Sequence, residues 1–417
     1  MDAALQERIK TRMRAEFERT GPPEGFPAFP DIPTGRYVSP EFFALEQAHV
    51  WPRVWAFAGR VDDAPEPGDF FTFDDLDVPV LIVRGRDRRL RAFYNTCRHR
   101  GAPVVREAKG RARTLRCQYH SWTYDIDDGT LVAVPDERDF VGLDRSTRCL
   151  HSLRCEEWDG WVFVNRDLGA APLLNWLGPV AGELAQLGGR DLREIGRDRV
   201  TVPCNWKVTA EAFLEVYHFR HIHSHDGFSL LDNRGASMGL FPHGHSRMVT
   251  PFSEAACERV GMHDWADWRH LTTPEFADIE TVSDMARSTS TAYSVFPNLI
   301  TPLAAYGFPF LLFWPVDVAT TRLEWIHFGP VDWPDDTGLP EHWRQRFERF
   351  ADLMEEDTAN MAPMQRSLES PALPGVPLNY QERRIWHLHE QIDRMIGPDR
   401  VAADLRVPLL LDPWVED

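Results

Sequence analysis

The segment from Asn205 to His223 reads Asn-Trp-Lys-Val-Thr-Ala-Glu-Ala-Phe-Leu-Glu-Val-Tyr-His-Phe-Arg-His-Ile-His, with two carboxylates and three imidazoles in a short span. On a helix, Glu211, Glu215 and His218 share one face, because their spacings are i,i+4 and i,i+3. Val208, Ala212 and Phe213 lie between them, so that face is expected to look inward. A buried carboxylate beside a buried imidazole is costly unless something pairs with both. A metal ion is the simplest such partner. Neutral imidazoles plus one carboxylate, with positions left open, form the ligand pattern of a mononuclear non-heme Fe(II) centre. Spacing leaves the choice of histidines open. His221 and His225 are i,i+4 and suit a regular helix. His218 and His223 are i,i+5, about 140° apart on an ideal helix. That pair requires the helix to end or bulge between them. A solvated, histidine-rich helix end is the plain alternative.

A second constellation reads Cys97-Arg98-His99, then seventeen residues, then Cys117-Gln118-Tyr119-His120-Ser121-Trp122. Two cysteines and two histidines suit zinc in a finger, which keeps the cysteines in one short loop and the histidines in another. Here each loop carries one Cys and one His. That mixed arrangement suits a Rieske [2Fe-2S] cluster, in which two Cys hold one iron and two His hold the other.

Together these motifs resemble the oxygenase (alpha) subunit of the Rieske non-heme iron oxygenases, the aromatic-ring-hydroxylating dioxygenase family. C-x-H-x17-C-x2-H is similar to the family's cluster motif. Asn-Trp-Lys…Glu…Tyr-His-x4-His is similar to its mononuclear iron motif. The resemblance implies that Cys97 and Cys117 bind one cluster iron and His99 and His120 the other. It implies that His218 and His223 bind the catalytic iron, in place of His221 and His225. The family's third ligand is a distant Asp on a helix that precedes a Gln. Glu355-Glu356-Asp357-Thr358, followed by Met364-Gln365, fits that description. Asp357 is the expected ligand and Glu356 the second choice. Without the resemblance this stretch reads as a solvated acidic helix face. Two positions depart from the commonest family pattern: Glu215 stands where many members have Asp, and Ala212 where many have Asn.

The chain has 417 residues, enough for two domains with a sizeable core. Its net charge of −18 argues against nucleic acid or an anionic membrane as partner. A local arginine pocket for an anionic substrate remains compatible with it. Cys149, Cys155, Cys204 and Cys257 are scattered and read as small buried hydrophobes. Residues 1–20 carry many charges, Glu7, Arg8, Lys10, Arg12 and Arg14 among them, so no signal peptide is read and a reducing cytoplasm is expected. The longest apolar run, Pro302 to Val316, holds three prolines and is too short to span a bilayer.

Short strands are expected around Trp55–Phe57, Asp69–Phe73, Val78–Val83, Leu90–Tyr94 and Gly160–Val164, with turns at Pro67-Gly68 and Asp128-Gly129. They define a small all-β Rieske domain at 52–165. Residues 1–51 supply N-terminal helices, one opening at Ser39-Pro40. Residues 166–417 supply the mononuclear iron domain, and residues 1–51 join it. Within it, 224–290 read as irregular, pocket-lining loops. Tyr293–Ile300, Pro309–Trp314 and Leu323–Phe328 read as buried strands, Leu339–Leu368 as one long helix, and 380–395 as a last helix. The expected class is α+β, with the Rieske domain inserted in a helix-grip catalytic domain built on a curved antiparallel sheet.

The resemblance implies a terminal oxygenase that uses O2 and electrons to hydroxylate a small organic, aromatic substrate. The electrons come ultimately from NAD(P)H through a partner reductase or ferredoxin. No G-x-G-x-x-G follows a strand, which fits a separate reductase. Hydroxylation beside a heteroatom, leading to demethylation of a quaternary amine, is the alternative. An electron-transfer Rieske protein without oxygenase activity is the alternative of another class. Asn205 and Tyr217 are candidates for shaping the iron pocket, with capping and packing as their plainer roles. Glu215 is the expected partner of His218. The resemblance further implies a homotrimer, with or without a small beta subunit, in which Glu215 joins His218 to a cluster histidine of a neighbour.

Overall fold

The computed structural model describes residues 1–224, 228–331, 333 and 338–416. Contacts divide the chain into two compact units. One is the continuous segment Trp51–Trp176; the other is formed by Met1–Val50 and Leu177–Asp417. The middle unit begins one residue before the expected boundary and ends eleven residues after it.

The middle unit is all-β. Its antiparallel seven-stranded sheet has the order Ala56–Arg60, Trp161–Asn165, Ser152–Trp158, Leu90–Tyr94, Val80–Arg84, Asp69–Phe73 and Lys109–Arg111. A three-stranded sheet holds Leu115–Arg116, Thr123–Tyr124 and Leu131–Ala133. Val80–Arg84 is buried along its whole length, which fits the apolar run Val80 to Val83.

The two cysteine-histidine loops in this unit fold alike. In each, the Cys carbonyl accepts from the N–H four residues on: Gly101 to Cys97 at 3.0 Å, and Ser121 to Cys117 at 2.9 Å. The Cys N–H donates to the residue after that: Ala102 at 2.8 Å and Trp122 at 2.9 Å. The turn demands a left-handed residue at the fourth step. Gly101 supplies it at φ 77°, and Ser121 adopts it at φ 61° against its Cβ.

The other unit is built on a seven-stranded antiparallel sheet. Its order is Arg193–Val202, Thr320–Gly329, Phe308–Asp317, Leu299–Leu303, Thr289–Val295, Ser246–Pro251 and Ser237–Leu240. Helices Pro40–His49, Glu341–Thr358 and Arg383–Ile396 belong to the same unit. Ser39 caps the first of them by accepting from Phe42 N–H at 3.1 Å, as its sequence announces.

The Asn-Trp-Lys motif is explained by packing within this unit. Asn205 caps helix Trp206–Glu211. The Trp206 indole donates to Glu46 at 3.1 Å, and Lys207 pairs with the other Glu46 oxygen at 2.8 Å. Lys207 and Glu46 are both fully buried, so each needs the other.

Several expectations require correction. The segment 205–223 is not one helix. It runs as Trp206–Glu211, then turns, then Phe219–Ile222. Glu215 accounts for the break, since its carboxylate accepts from the N–H groups of Tyr217 and His218. A side chain that takes those donors competes with helix continuation. Glu211 therefore leaves the face of Glu215 and His218. Its carboxylate meets the Tyr37 hydroxyl at 3.1 Å and His389 Nε2 at 2.7 Å, in a separate buried cluster.

The expected helix Leu339–Leu368 is likewise two, Glu341–Thr358 and Met361–Leu368. Pro363 lacks an N–H and its ring would strike the carbonyl four residues earlier, so the first helix must stop upstream. Tyr293–Ile300 is interrupted between Val295 and Leu299, where Pro297 cannot join the ladder. The stretch read as irregular contains strands Ser237–Leu240 and Ser246–Pro251 and helices Glu254–Val260 and Asp284–Arg287. Both strands are buried on both faces, so their sequences show no alternation to read.

Candidate metal centres

His218, His223 and Asp357 converge. Among the described residues they are the group of His, Cys, Asp or Glu compact enough for a single ion, with one ligand atom each and all such atoms within 4.8 Å. Asp357 Oδ1 lies 3.2 Å from His223 Nε2 and 3.6 Å from His218 Nε2. The broken helix makes this possible: His218 precedes the short helix Phe219–Ile222 and His223 follows it. Asp357 stands near the C-terminal end of Glu341–Thr358, where the helix dipole favours a cation.

The other nitrogen of each ring is held by a carboxylate. His218 Nδ1 is hydrogen-bonded to Glu215 Oε1. His223 Nδ1 lies 2.7 Å from Glu356 Oε2. A carboxylate has no proton to give, so both Nδ1 atoms donate and both Nε2 lone pairs point at the shared space. Burial opposes a charge on His223, but hydrogen bonds that Asp357 and Glu356 accept from the charged ring outweigh it and raise its pKa. A cation among the Nε2 atoms would take the place of that proton.

Glu356, the second choice for third ligand, thus holds the far side of a ring. His221 has its Nε2 3.3 Å from the neighbouring Arg220 Nε and is not part of the convergent group. His225 lies outside the described residues. Asn205 and Tyr217 are not brought to the triad. The Asn205 amide donates to Val318 O at 2.7 Å and accepts from Lys207 N–H at 3.0 Å, so capping consumes it. Tyr217 is 47% exposed and lies off the cavity wall.

The triad forms part of the wall of a cavity of about 640 Å³. Phe213, Phe219, Met248, Leu311, Phe350 and Met354 give much of its surface an apolar character. Loops between 230 and 290 line it too, through Leu231, Phe252 and Thr272 among others.

In the middle unit, Cys97 and Cys117 are buried, whereas His120 is exposed. Burial pushes the Cys97 thiol pKa up, so a thiolate there needs a cation. The Tyr124 hydroxyl is 3.2 Å from Cys97 Sγ and accepts from Arg98 N–H at 2.9 Å, which leaves its proton for the sulfur. The His99 and His120 ring centroids are 4.7 Å apart. His99 stacks on Trp122 at 4.9 Å and 10°. Burial first, then the neighbouring His120 and Arg100, lower the His99 pKa and favour the neutral ring that a metal needs. These four residues do not close around one ion. They suit a two-metal cluster with thiolates on one side and imidazoles on the other.

Comparison with known proteins agrees with this chemistry. Residues 54–152 match the Rieske [2Fe-2S] domain, and residues 190–398 match the ring hydroxylating alpha subunit catalytic domain. The chain belongs to the ring-hydroxylating alpha-subunit family of Rieske oxygenases. It is 31% identical to the alpha subunit of 2-aminobenzenesulfonate 2,3-dioxygenase from Alcaligenes sp, over 50% of this chain and 55% of that one. It is 30% identical to the carnitine monooxygenase oxygenase subunit of Acinetobacter baumannii, over 50% and 57%. The matched part thus spans little more than half the length of these curated relatives. The fold is similar to that of a quaternary ammonium Rieske monooxygenase, with a TM-score of 0.69 and 21% identity over 90% of this chain and 98% of that one. It is also similar to naphthalene 1,2-dioxygenase from Rhodococcus sp., with a TM-score of 0.66 and 20% identity over 95% and 98%. The family carries a [2Fe-2S] cluster and a mononuclear iron, and the donor sets described above fit both.

Sequence reasoning missed three features of the site. Glu356 as the His223 partner is hidden because the two are 133 positions apart in sequence. The wall formed by Arg346, Phe350, Leu353, Met354 and Asp357 was available as a helical spacing, but an acidic helix invites a solvated reading. Arg287, a wall residue, donates to Val282 O, Leu271 O and Ile279 O and pairs with Asp278 at 2.7 Å, and nothing in its local sequence announces that clamp.

Proposed function

We propose that this chain is the terminal oxygenase component of a multicomponent Rieske system, hydroxylating a small, largely apolar organic substrate with O2 and reductase-derived electrons. One observation carries the reading: the His218–His223–Asp357 triad opens onto a mostly apolar cavity large enough for an aromatic molecule. An electron carrier has no use for a second metal site with a substrate-sized pocket.

Iron held by the triad supplies open coordination positions and a redox change for the reduction of O2. Glu215 and Glu356 fix the two imidazoles in the tautomer that presents Nε2. Such outer partners orient ligands and raise their basicity. Phe213, Phe350 and Met354 exclude water and position the apolar body of the substrate. Cys97, Cys117, His99 and His120 would hold the [2Fe-2S] cluster, which would supply single-electron acceptance from a separate reductase or ferredoxin. The chain acts as a homotrimer in the cytoplasm, and Glu215 links His218 to His120 of the partner subunit. In support, His120 is exposed on its own unit, and a carboxylate oxygen has a second lone pair to offer.

Demethylation of a quaternary amine is the second reading, favoured by the likeness to carnitine monooxygenase. The test is to supply the purified chain with a compatible reductase and NADH, and to screen aromatic acids and quaternary amines. Hydroxylated product matched to O2 consumed supports the proposal. Formaldehyde release from the amines alone shifts it to demethylation. A cluster that is reduced while no candidate is oxygenated contradicts it.

A further inference from the structure

Two arginines reach the cavity wall, and their circumstances differ. Arg287 is fully buried, and its guanidinium is consumed by three carbonyls and Asp278. Four of its five N–H donors are thus spent inside the chain, and its charge is paired. Arg346 is half-buried, and among the described residues it makes no hydrogen bond or ion pair. Its guanidinium carbon lies 5.7 Å from the centroid of Tyr306 and 5.6 Å from that of Phe350, both wall residues. The Tyr306 hydroxyl likewise has no hydrogen-bond partner among the described residues. A cation and a hydroxyl donor therefore stand together in an apolar cavity without an acceptor. Neither donor is committed within the described chain, so both are available to an acceptor that enters the cavity.

The position of Arg346 along its helix sets a length. Arg346, Phe350, Leu353, Met354 and Asp357 follow the i, i+4, i+7, i+8, i+11 spacing of one helical face, and all five line the cavity. Eleven residues correspond to about 16 Å of rise. Arg346 thus stands about three helical turns from the ligand Asp357 along this face. The stripe between them is Phe350, Leu353 and Met354, with no charge.

From this geometry we infer that the cavity takes an elongated organic anion. Its carboxylate or sulfonate seats on Arg346 and the Tyr306 hydroxyl, and its apolar body runs along Phe350 and Met354 to the triad. The inference rests on the oxygenase reading for what lies at the triad end. It also bears on the choice between substrate classes. A quaternary ammonium group is held by aromatic faces. Here the Tyr306 and Phe350 rings already carry the chain's own cation, so a second positive charge is repelled at that place. The net charge of −18 repels anions at long range, which makes a local guanidinium the more necessary. Arg suits the task because its planar fork meets an oxyanion through two parallel hydrogen bonds.

The test uses the iron-loaded full chain and four probes: biphenyl-4-carboxylate, its neutral carboxamide, benzoate and benzyltrimethylammonium. Calorimetry gives the affinities. The spectrum of the ferrous–nitrosyl adduct reports independently whether iron is present and whether a probe reaches it. The long carboxylate is expected to bind at least about tenfold tighter than its carboxamide and to perturb the nitrosyl spectrum. Benzoate, too short to span, is expected either to bind more weakly or to leave that spectrum unchanged. Arg346→Gln is expected to remove the preference for the carboxylate while leaving carboxamide binding and the nitrosyl signal intact. Arg346→Lys is expected to restore part of it. Equal binding of carboxylate and carboxamide, unchanged carboxylate affinity in Arg346→Gln, or preferred binding of the ammonium probe would overturn the inference. Failure of the oxygenase reading has a different signature: no nitrosyl signal in iron-loaded wild type, whatever binds at Arg346.

Discussion

Glu356 Oε2 lies 2.7 Å from His223 Nδ1, on the side of the ring away from the triad. The next residue, Asp357, approaches the other nitrogen of the same ring at 3.2 Å. Adjacent carboxylates on one helix therefore grip one imidazole from both sides. Glu356→Ala should loosen the ring without removing a ligand atom, and weaken iron binding by roughly 10–100-fold. Glu356→Gln, whose amide oxygen still accepts from Nδ1–H, should retain most of the affinity. Iron titration of the metal-free protein measures both. Equal loss in the two variants would instead make Glu356 a ligand.

Glu215 has two expected roles, holding the His218 ring and linking subunits for electron delivery, so turnover of its variants is compared per bound iron. Glu215→Ala should keep its cluster absorption, and a reductase should still reduce that cluster. Product formation should fall by at least about a hundredfold if this carboxylate carries the electronic link between subunits. Stopped-flow reduction and product yield, measured on the same sample, check the pair of expectations. Normal turnover, or a fully active monomer, removes the link.

Asn205 is assigned here to structure. Asn205→Ala should cost about 1–2 kcal/mol through the lost cap and leave turnover per bound iron unchanged. Thermal unfolding and metal-normalised rates separate these effects. A specific loss of rate with normal stability would return Asn205 to the active site.

Burial pushes the Glu211 carboxyl up to about 8 from an ordinary 4.5, in the cluster with Tyr37 and His389. The Arg36 Nε–H donates to His389 Nδ1 at 2.9 Å, so His389 Nε2 carries a proton and donates to Glu211. The folded chain binds a proton that the unfolded chain releases near pH 4.5. The stability from this group is complete below that pH and is lost as pH rises to about 8. Between pH 5 and 8, wild type should lose more thermal stability than Glu211→Gln. Parallel melting curves across that range would contradict the assignment.

The sequence made the two kinds of site unequally legible. Cys97, His99, Cys117 and His120 can be read because each loop is local and its chemistry is confined to a few residues. His218 and His223 are readable as candidates, but their irregular spacing makes sense only once Glu215 is seen to interrupt the helix. Asp357 is separated from them by most of the catalytic sheet, and the family pattern is what singles it out from its acidic neighbours. The break before Met361 was announced by Pro363, a strong local rule. By contrast, Ser237–Leu240 and Ser246–Pro251 are strands by virtue of tertiary burial, which leaves no periodic trace. Glu211 shows the limit of spacing arguments, since a helical face exists only as far as the helix continues. The free guanidinium of Arg346 depends on which carboxylates its neighbours have already claimed, and linear sequence does not record that.

The central claim is that one chain holds two different iron sites, the smaller held by His218, His223 and Asp357. Iron and acid-labile sulfide per chain test it most directly, in wild type and in Asp357→Ala. Wild type should hold about three irons and two sulfides. Asp357→Ala should fall to about two irons with sulfide and cluster absorption unchanged. Zinc in place of iron, or an iron count that the substitution does not lower, would contradict the account.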